Sequence, residues 1–497
     1  MNSKNGIKNI IWGLLAQIIT IGLGIFIPRL VLVNLGSESN GLLNSVSSIL
    51  AYMSLLEAGV GTTTLQALYK PLADEDTYSA NRIMAATDKF YKRTGTIYLT
   101  IVIGLSVGYA LIVNSELSRI SVFLVVLLSG LSGVLSYFFQ GKYKILLSAQ
   151  GKNYINTNIT TFSTVGVSIV KAIVLIAGGN VVMVQSVYFI FNFIQMLIIL
   201  IYMRKHCAWL NLKVDPDYYA LEQRNAVLVH QISGLIFSNT DVIILTAFTS
   251  LKTVSVYSMY AMIFGMVKSV AVTISESFVY ALGQSYSNKE KFMRMFNAYE
   301  TYNIAITFSL FCISGILILP FLKLYTVGVA DVNYIDRYVA YLFLAYYLLH
   351  NGRASSGNVI SISKHFEQTK WRSVLEAIIN VTTSLILTYK LGIYGVILGT
   401  VVALLYRTND MIIYAAHILK RSPLVTYFRW GRNLVLFVAI MFIESQIPIV
   451  LNSYVSMMAY GVVLCLTIIP IFIGVNSLLE PASAKYVFGI LKRTLKK

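Results

Sequence analysis

The sequence predicts an all-α polytopic membrane protein with about fourteen transmembrane helices. Three observations carry this expectation. The 497 residues are 57% hydrophobic and 12% charged, about half the charge of an ordinary soluble domain, with a mean hydropathy of +0.71. The apolar residues gather into separate runs, each long enough to take a helix across about 30 Å of hydrocarbon. The basic residues collect in alternate connections between those runs.

The runs fall at about 7–33, 41–68, 94–113, 119–139, 154–177, 181–203, 228–249, 254–283, 301–325, 338–362, 373–389, 393–418, 434–451 and 455–477. The first is too long for a signal-peptide core, has Arg29 inside it and lacks a small-residue cleavage site, so it reads as a retained helix. Glu444 and Pro448 interrupt the thirteenth run. Cys207, Cys312 and Cys465 lie far apart, without metal-ligand spacing or the pattern of a disulfide framework.

The net charge of +18 would suit nucleic acid if it were clustered. It is instead distributed by loop. With the N-terminus inside, one side holds Lys4 and Lys8, then five basic residues between Lys70 and Arg93, then Lys142, Lys144 and Lys152. The same side holds four from Arg204 to Arg224, three from Lys289 to Arg294, and Lys364, Lys370 and Arg372. Lys420, Arg421, Arg429 and Arg432 complete it with five in the tail, making 29 of the 39 basic residues. The other side holds Arg119, Lys252, Arg337 and Lys390 against Glu38, Glu116, Asp331 and Asp336. Such an asymmetry places both termini in the cytoplasm of a bacterial inner membrane and excludes nucleic acid as a partner. The partner of the basic tail is the anionic headgroup layer of the membrane lipids.

The polar stretch 204–227 divides an N-terminal lobe of six spans, 1–203, from a second lobe of six, 228–418. Two further spans occupy 419–477, and residues 478–497 form the basic tail. The second lobe faintly echoes the first. Arg29 precedes Glu57 by 28 residues, and Asp241 precedes Lys268 by 27.

A charge at the bilayer centre costs about 2.5–3.5 kcal/mol on insertion scales, so it faces a wet cavity, finds a partner or snorkels. Arg29, Lys268 and Arg353 have no opposite charge three or four residues away, and a solvated cavity between lobes suits them. Arg407 and Asp410 share a helix face at i,i+3, which fits mutual neutralisation as well as a cavity lining. Glu376 is one turn inside its span and within reach of the interface, Lys323 fits a snorkelling anchor, and Lys171 fits snorkelling and cavity lining equally. Glu57, Asp241 and Glu276 lie deep in their runs, either as partners for cavity cations or as carboxylates coupled to a proton or sodium gradient. Asp410 joins them as a coupling candidate. Unpaired cations in a cavity favour an anion, and guanidinium favours phosphate because its forked donors grip two oxygens. No phosphate-binding loop, zinc spacing or extended outer loop is present to build a catalytic site, so neither an enzyme nor a bound cofactor is expected.

Three stretches carry a family resemblance. Pro28 to Ala73 contains the Gly59 and Gly61 pair followed by Leu68-Tyr69-Lys70-Pro71-Leu72. Lys144 to Ile155 reads KILLSAQGKNYI, and Thr369 to Arg407 resembles a C-terminal half. Together with length and helix count, they resemble the polysaccharide-repeat-unit (Wzx-type) flippases of O-antigen and capsule assembly. That family lies in the superfamily of multidrug extruders and peptidoglycan-precursor flippases. The resemblance implies two six-helix lobes, alternating access and an undecaprenyl pyrophosphate-linked oligosaccharide as cargo, with a polymerase and other assembly proteins as partners. Arg29 and Lys268 match the spans where related lipid flippases place cavity cations, and Arg353 and Arg407 extend that set. The alternatives are a cation-coupled multidrug or small-molecule exporter of the same fold and, against the short outer loops, a membrane glycosyltransferase or polymerase.

Overall fold

The computed structural model describes residues 3–57, 60–219, 224–447 and 451–494, and among these it contains helices and no strand. Gly59, Pro448, Lys496 and Lys497 lie outside the described residues. Two compact units make up the chain, residues 1–255 with 328–332 and residues 256–327 with 333–497.

In the first unit, α1 (Ser3–Ala51) covers the first apolar run and the start of the second. It breaks at Gly36, whose φ of 79° lies in the left-handed region that glycine tolerates. The helix restarts at Ser37, and the free donors of a new N-terminus need acceptors. Asp331 supplies them. Its carboxylate accepts from the Ser37 amide at 2.8 Å and from the Ser37 hydroxyl at 2.7 Å. The 41–68 run is not one helix: α1 passes through a 3-10 turn, Tyr52–Leu56, before α2 (Val60–Ala73).

Next come α3 (Thr77–Ile112), α4 (Arg119–Leu135), α5 (Gly141–Ala149), α6 (Asn153–Ile176), α7 (Val181–His206) and α8 (Arg224–Phe248). One core, around Leu68, Met84, Leu146 and Met203, lies at the basic end of this unit. Another, around Leu42, Tyr109, Val125 and Leu251, lies at the acidic end, where Lys252 meets Glu116 at 2.6 Å. Hydroxyl pairs join α1 and the 3-10 turn to α8, with Ser45 on Thr246 at 2.7 Å and Tyr52 on Thr240 at 2.5 Å. Asp88 on α3 is buried between Lys142 and Lys92.

The second unit holds most of α9 (Leu251–Ser285), then α10 (Lys289–Tyr325), α11 (Arg337–Gly352), α12 (Ala354–Ile362), α13 (Phe366–Leu391) and α14 (Ile393–Leu419). It ends with α15 (Leu424–Ser445), α16 (Tyr454–Leu479) and α17 (Pro481–Thr494). The Phe343 ring stacks nearly parallel to Tyr260 and Phe264, with centroids 5.6 and 6.0 Å away. The α13–α14 hairpin is closely packed. A Cβ on Gly395 or Gly399 would sit 2.4 Å from atoms of Leu387 or Ser384 in the facing helix.

Eleven helices among the described residues are long and apolar enough to cross a membrane. The expected fourteen differ from these for visible reasons. Gly36 divides one long candidate in two, and the 338–362 run is interrupted at Arg353 between α11 and α12. Large apolar side chains face outward, including Ile112 (84% exposed) and Leu466 (71%), as a lipid-facing surface requires.

The helices overrun the apolar runs on the basic side. α3 begins 17 residues before its run and α10 twelve residues before, with the Asp76 and Asn288 side chains capping their first turns. α15 likewise starts at Leu424, after Pro423, rather than near 434. Arg429 and Arg432 therefore lie on a helix and not in a loop. Their side chains join the network that binds α10, α15 and α16 together. Glu300, 1% exposed at its side chain, accepts from Arg429 and, at 2.5 Å, from Arg421. Glu480 binds Arg429 and Arg432, each at 2.7 Å, and Thr301 at 2.8 Å. Burial alone would raise the Glu480 pKa, but the Arg429 hydrogen bonds and charge, with Thr301 and Arg432, bring it down to about 2.

Removing one partner of a buried ion pair costs about 3–5 kcal/mol because the other charge is stranded. Glu300→Gln is therefore expected to destabilise the purified protein by that order, read as a lower midpoint of thermal unfolding in nanodiscs. Glu480 has a lowered pKa in the folded chain, so its contribution is complete above its ordinary value of 4.5 and disappears as the pH falls toward about 2. Glu480→Gln is expected to abolish that component of the acid sensitivity, and an unchanged acid profile would contradict this assignment.

Candidate functional site

The densest set of membrane-embedded charges in the second unit lies where α11, α12, α13 and α14 meet. Arg353 occupies the break between α11 and α12. Its guanidinium donates to Glu376 Oε1 on α13 at 2.7 Å. The other oxygen, Oε2, lies 3.4 Å from Arg407 Nε on α14. Arg407 also donates to Asp410 Oδ2 at 2.5 Å and to the Ser373 hydroxyl at 3.1 Å. Asp410 in turn binds Arg372, whose guanidinium lies over the Tyr414 ring, 4.7 Å from its centroid. The Tyr414 hydroxyl meets His365 Nδ1 at 3.0 Å.

This is a ladder of alternating sign, from Arg353 through Glu376, Arg407 and Asp410 to Arg372. Its first four members are at most 12% exposed at their side chains, and Arg372 is 40% exposed. Three guanidiniums face two carboxylates, leaving one positive charge in excess. Lys268 on α9 adds a second; it belongs to no ion pair among the described residues, and Arg353 is the charge that acts on it. His350 on α11 is within electrostatic range of both.

The residues singled out from sequence are thus distributed unevenly. Lys268, Arg353 and Arg407 belong to the second unit, and Arg29, half-buried on α1, to the first. Arg353 has a carboxylate partner, although none lies three or four residues away on its own helix. Glu376 does not act as an interface residue: it is 8% exposed and shared by two arginines. A signal for it existed. Glu376 precedes the turn glycine Gly392 by sixteen residues and Arg407 follows it by fifteen, so a tight hairpin brings them level. Arg372, read as a loop cation, is the outer rung.

Of the carboxylates, Asp410 is held by Arg407 and Arg372. Glu276 is exposed on α9. Asp241 is 2% exposed on α8, next to the Thr240 that bonds Tyr52, and its charge acts on Tyr52. Glu57 stands just after the 3-10 turn of the first unit and accepts from the buried Tyr91 hydroxyl. Tyr137, whose ring lies 6.0 Å from that of Tyr91, donates to the Met53 carbonyl at 3.0 Å. Among the described residues, no group of three or more His, Cys, Asp or Glu side chains could hold a metal ion.

Taken together, these features define a multi-pass all-α membrane protein. Among solved structures it resembles lipid II flippase MurJ in an inward closed conformation, with 13% identity over 95% of this chain and 99% of that chain and a TM-score of 0.72. It also resembles an inward-facing multidrug resistance MATE family transporter of the MOP superfamily, with 14% identity, 81% and 96% coverage and a TM-score of 0.65. An outward-facing transporter of that family matches with 15% identity, 82% and 94% coverage and a TM-score of 0.53. At these identities the likeness is one of fold, and the chain has the fold of these transporters. No protein-family model and no curated protein matches the sequence.

Glu376 is expected to be the keystone of the ladder. Glu376→Gln strands Arg353 and Arg407 and should sharply reduce the amount of folded protein in membranes. Adding Arg353→Met should restore much of it, because removing both partners of a buried pair is often close to neutral. Immunoblotting of membranes checks this; equal abundance of single and double variants would contradict the shared role.

Proposed function

We propose that this protein is a flippase that moves an undecaprenyl pyrophosphate-linked oligosaccharide across the bacterial cytoplasmic membrane, by alternating access of two lobes. The observation that carries the reading is the positive excess of the ladder together with Lys268 among apolar helices. A membrane-embedded site that keeps surplus cations suits an anionic headgroup, and a diphosphate in particular. A pyrophosphate with its sugars cannot cross hydrocarbon unaided, since buried charge and unpaired hydroxyls cost too much. Lys268 offers its ammonium directly, and within the ladder Arg353 and Arg407 are oriented by Glu376. Arg29 is a further candidate cation, carried by the first unit. The likeness to a lipid II flippase supports a lipid-linked cargo, and the resemblance in three sequence stretches supports repeat units of O-antigen, capsule or a related polymer. A polymerase would receive the product. Both termini are assigned to the cytoplasm on the loop charges.

The likeness to multidrug transporters favours a second reading, export of small drugs. Surplus positive charge counts against it for cationic drugs. Lys268→Ala, Arg29→Ala and Arg353→Ala are expected to reduce polymer export about tenfold or more, since a hydrogen bond to a charged group contributes about 1.5–3 kcal/mol. Drug resistance should be unaffected in the same cells. Full export in the triple variant, or drug sensitivity without an export defect, would reject the flippase.

For coupling to a proton or sodium gradient, Asp241 and Glu57 are better placed than Asp410, which two arginines neutralise, or the exposed Glu276. Asp241→Asn is expected to slow flipping in vesicles and to remove its response to an imposed ion gradient. An unchanged response would transfer the role to Glu57.

A further inference from the structure

Two of the three stretches that carry the family resemblance, 28–73 and 144–155, meet at the basic end of the first unit. Both line a pocket of about 860 Å³, within the usual range for small-molecule sites. Tyr69, Pro71 and Leu72 come from one stretch and residues 148–152 from the other. Asn9 of α1 and Trp209, just after α7, close the sides. Neither the charge ladder nor the carboxylates discussed above use this pocket.

Its chemistry is specific. Trp209 and Tyr69 offer aromatic faces, and Tyr69 is 53% exposed. The turn between α2 and α3 contributes Glu75 and Asp76. Glu75 takes a left-handed backbone with φ at 56°, unusual for a residue with a side chain, and its carboxylate has no hydrogen bond or ion pair among the described residues. Asp76 is kept ionised: the side chain and amide of Ser79 hold its carboxyl below the usual range. In the same pocket the side-chain amide oxygen of Gln150 is buried without a donor among the described residues. Aromatic faces, free carboxylate and amide acceptors form a hydroxyl-binding set. Two carboxylates against Lys152 disfavour a phosphate, which therefore belongs elsewhere.

We propose that this pocket binds the sugar portion of the lipid-linked cargo, a ring rich in hydroxyls stacked between Trp209 and Tyr69 with Glu75 accepting from its hydroxyls. This deepens the flippase reading and rests on it. Trp209 in the full-length protein is replaced by the photoreactive amino acid p-benzoylphenylalanine in cells whose polymer sugars carry a radiolabel, and the cells are irradiated. A labelled adduct is expected at position 209 but not at the exposed Trp371 position used as control. Extraction should show that the adduct carries a polyprenyl lipid, and Glu75→Gln should reduce its yield about tenfold. An exporting protein that gives no adduct at 209, or an adduct with sugar but no lipid, overturns the pocket assignment. If polymer export does not depend on the protein at all, the flippase reading itself fails. A phosphate-only adduct also overturns the proposal.

Discussion

The rest of this structure depends on the expense of an uncompensated charge in hydrocarbon. A chain with so much apolar surface can keep embedded arginines and carboxylates only if each is matched locally or kept wet. The matching is done by small sets rather than by isolated pairs. Asp88 serves two lysines, Glu376 serves two arginines, and Glu300 and Glu480 together hold three. Sharing lets one carboxylate bridge several helices, so the same contacts that neutralise charge also fix helix positions.

Much of the fold was legible in the sequence because the bilayer imposes a simple rule of length and hydropathy. The runs from 94 to 203 each fall on a helix, and 373–389 and 393–418 form the hairpin around Gly392. Helix starts on the basic side were not legible, because α3 and α10 extend through amphipathic segments that hydropathy reads as loop. The site was legible in its charges and not in its pairing. Arg407 and Asp410 could be matched by helical spacing, whereas Arg353 with Glu376, and Arg429 with Glu300, are joined only by tertiary packing. Spacing along one helix carries no information about the facing helix unless a short turn fixes the register, as Gly392 does.

The ladder also has a functional logic. Glu376 binds Arg353 more closely than Arg407, at 2.7 against 3.4 Å, and Arg407 holds Asp410 in reserve. An anion that drew Arg353 away would leave Glu376 a second partner already within reach. Charge would be redistributed along the ladder without any group becoming bare, which lowers the barrier to exchanging partners in a low-dielectric setting. Arg372 and Tyr414 would register the change at the less buried end.

The break at Gly36 bears on how the chain is made. Ser37 receives its capping carboxylate from Asp331, 294 residues later. Synthesis runs from the N-terminus, and domains tend to fold as they emerge. The first unit cannot follow that order to completion, since one of its constituents is translated only after α10. Until then the Ser37 amide has no carboxylate to cap it and is left to water. The nascent protein must therefore hold its first eight helices in an unfinished arrangement while two more are inserted. A chain that ends before residue 331 lacks the carboxylate that caps Ser37.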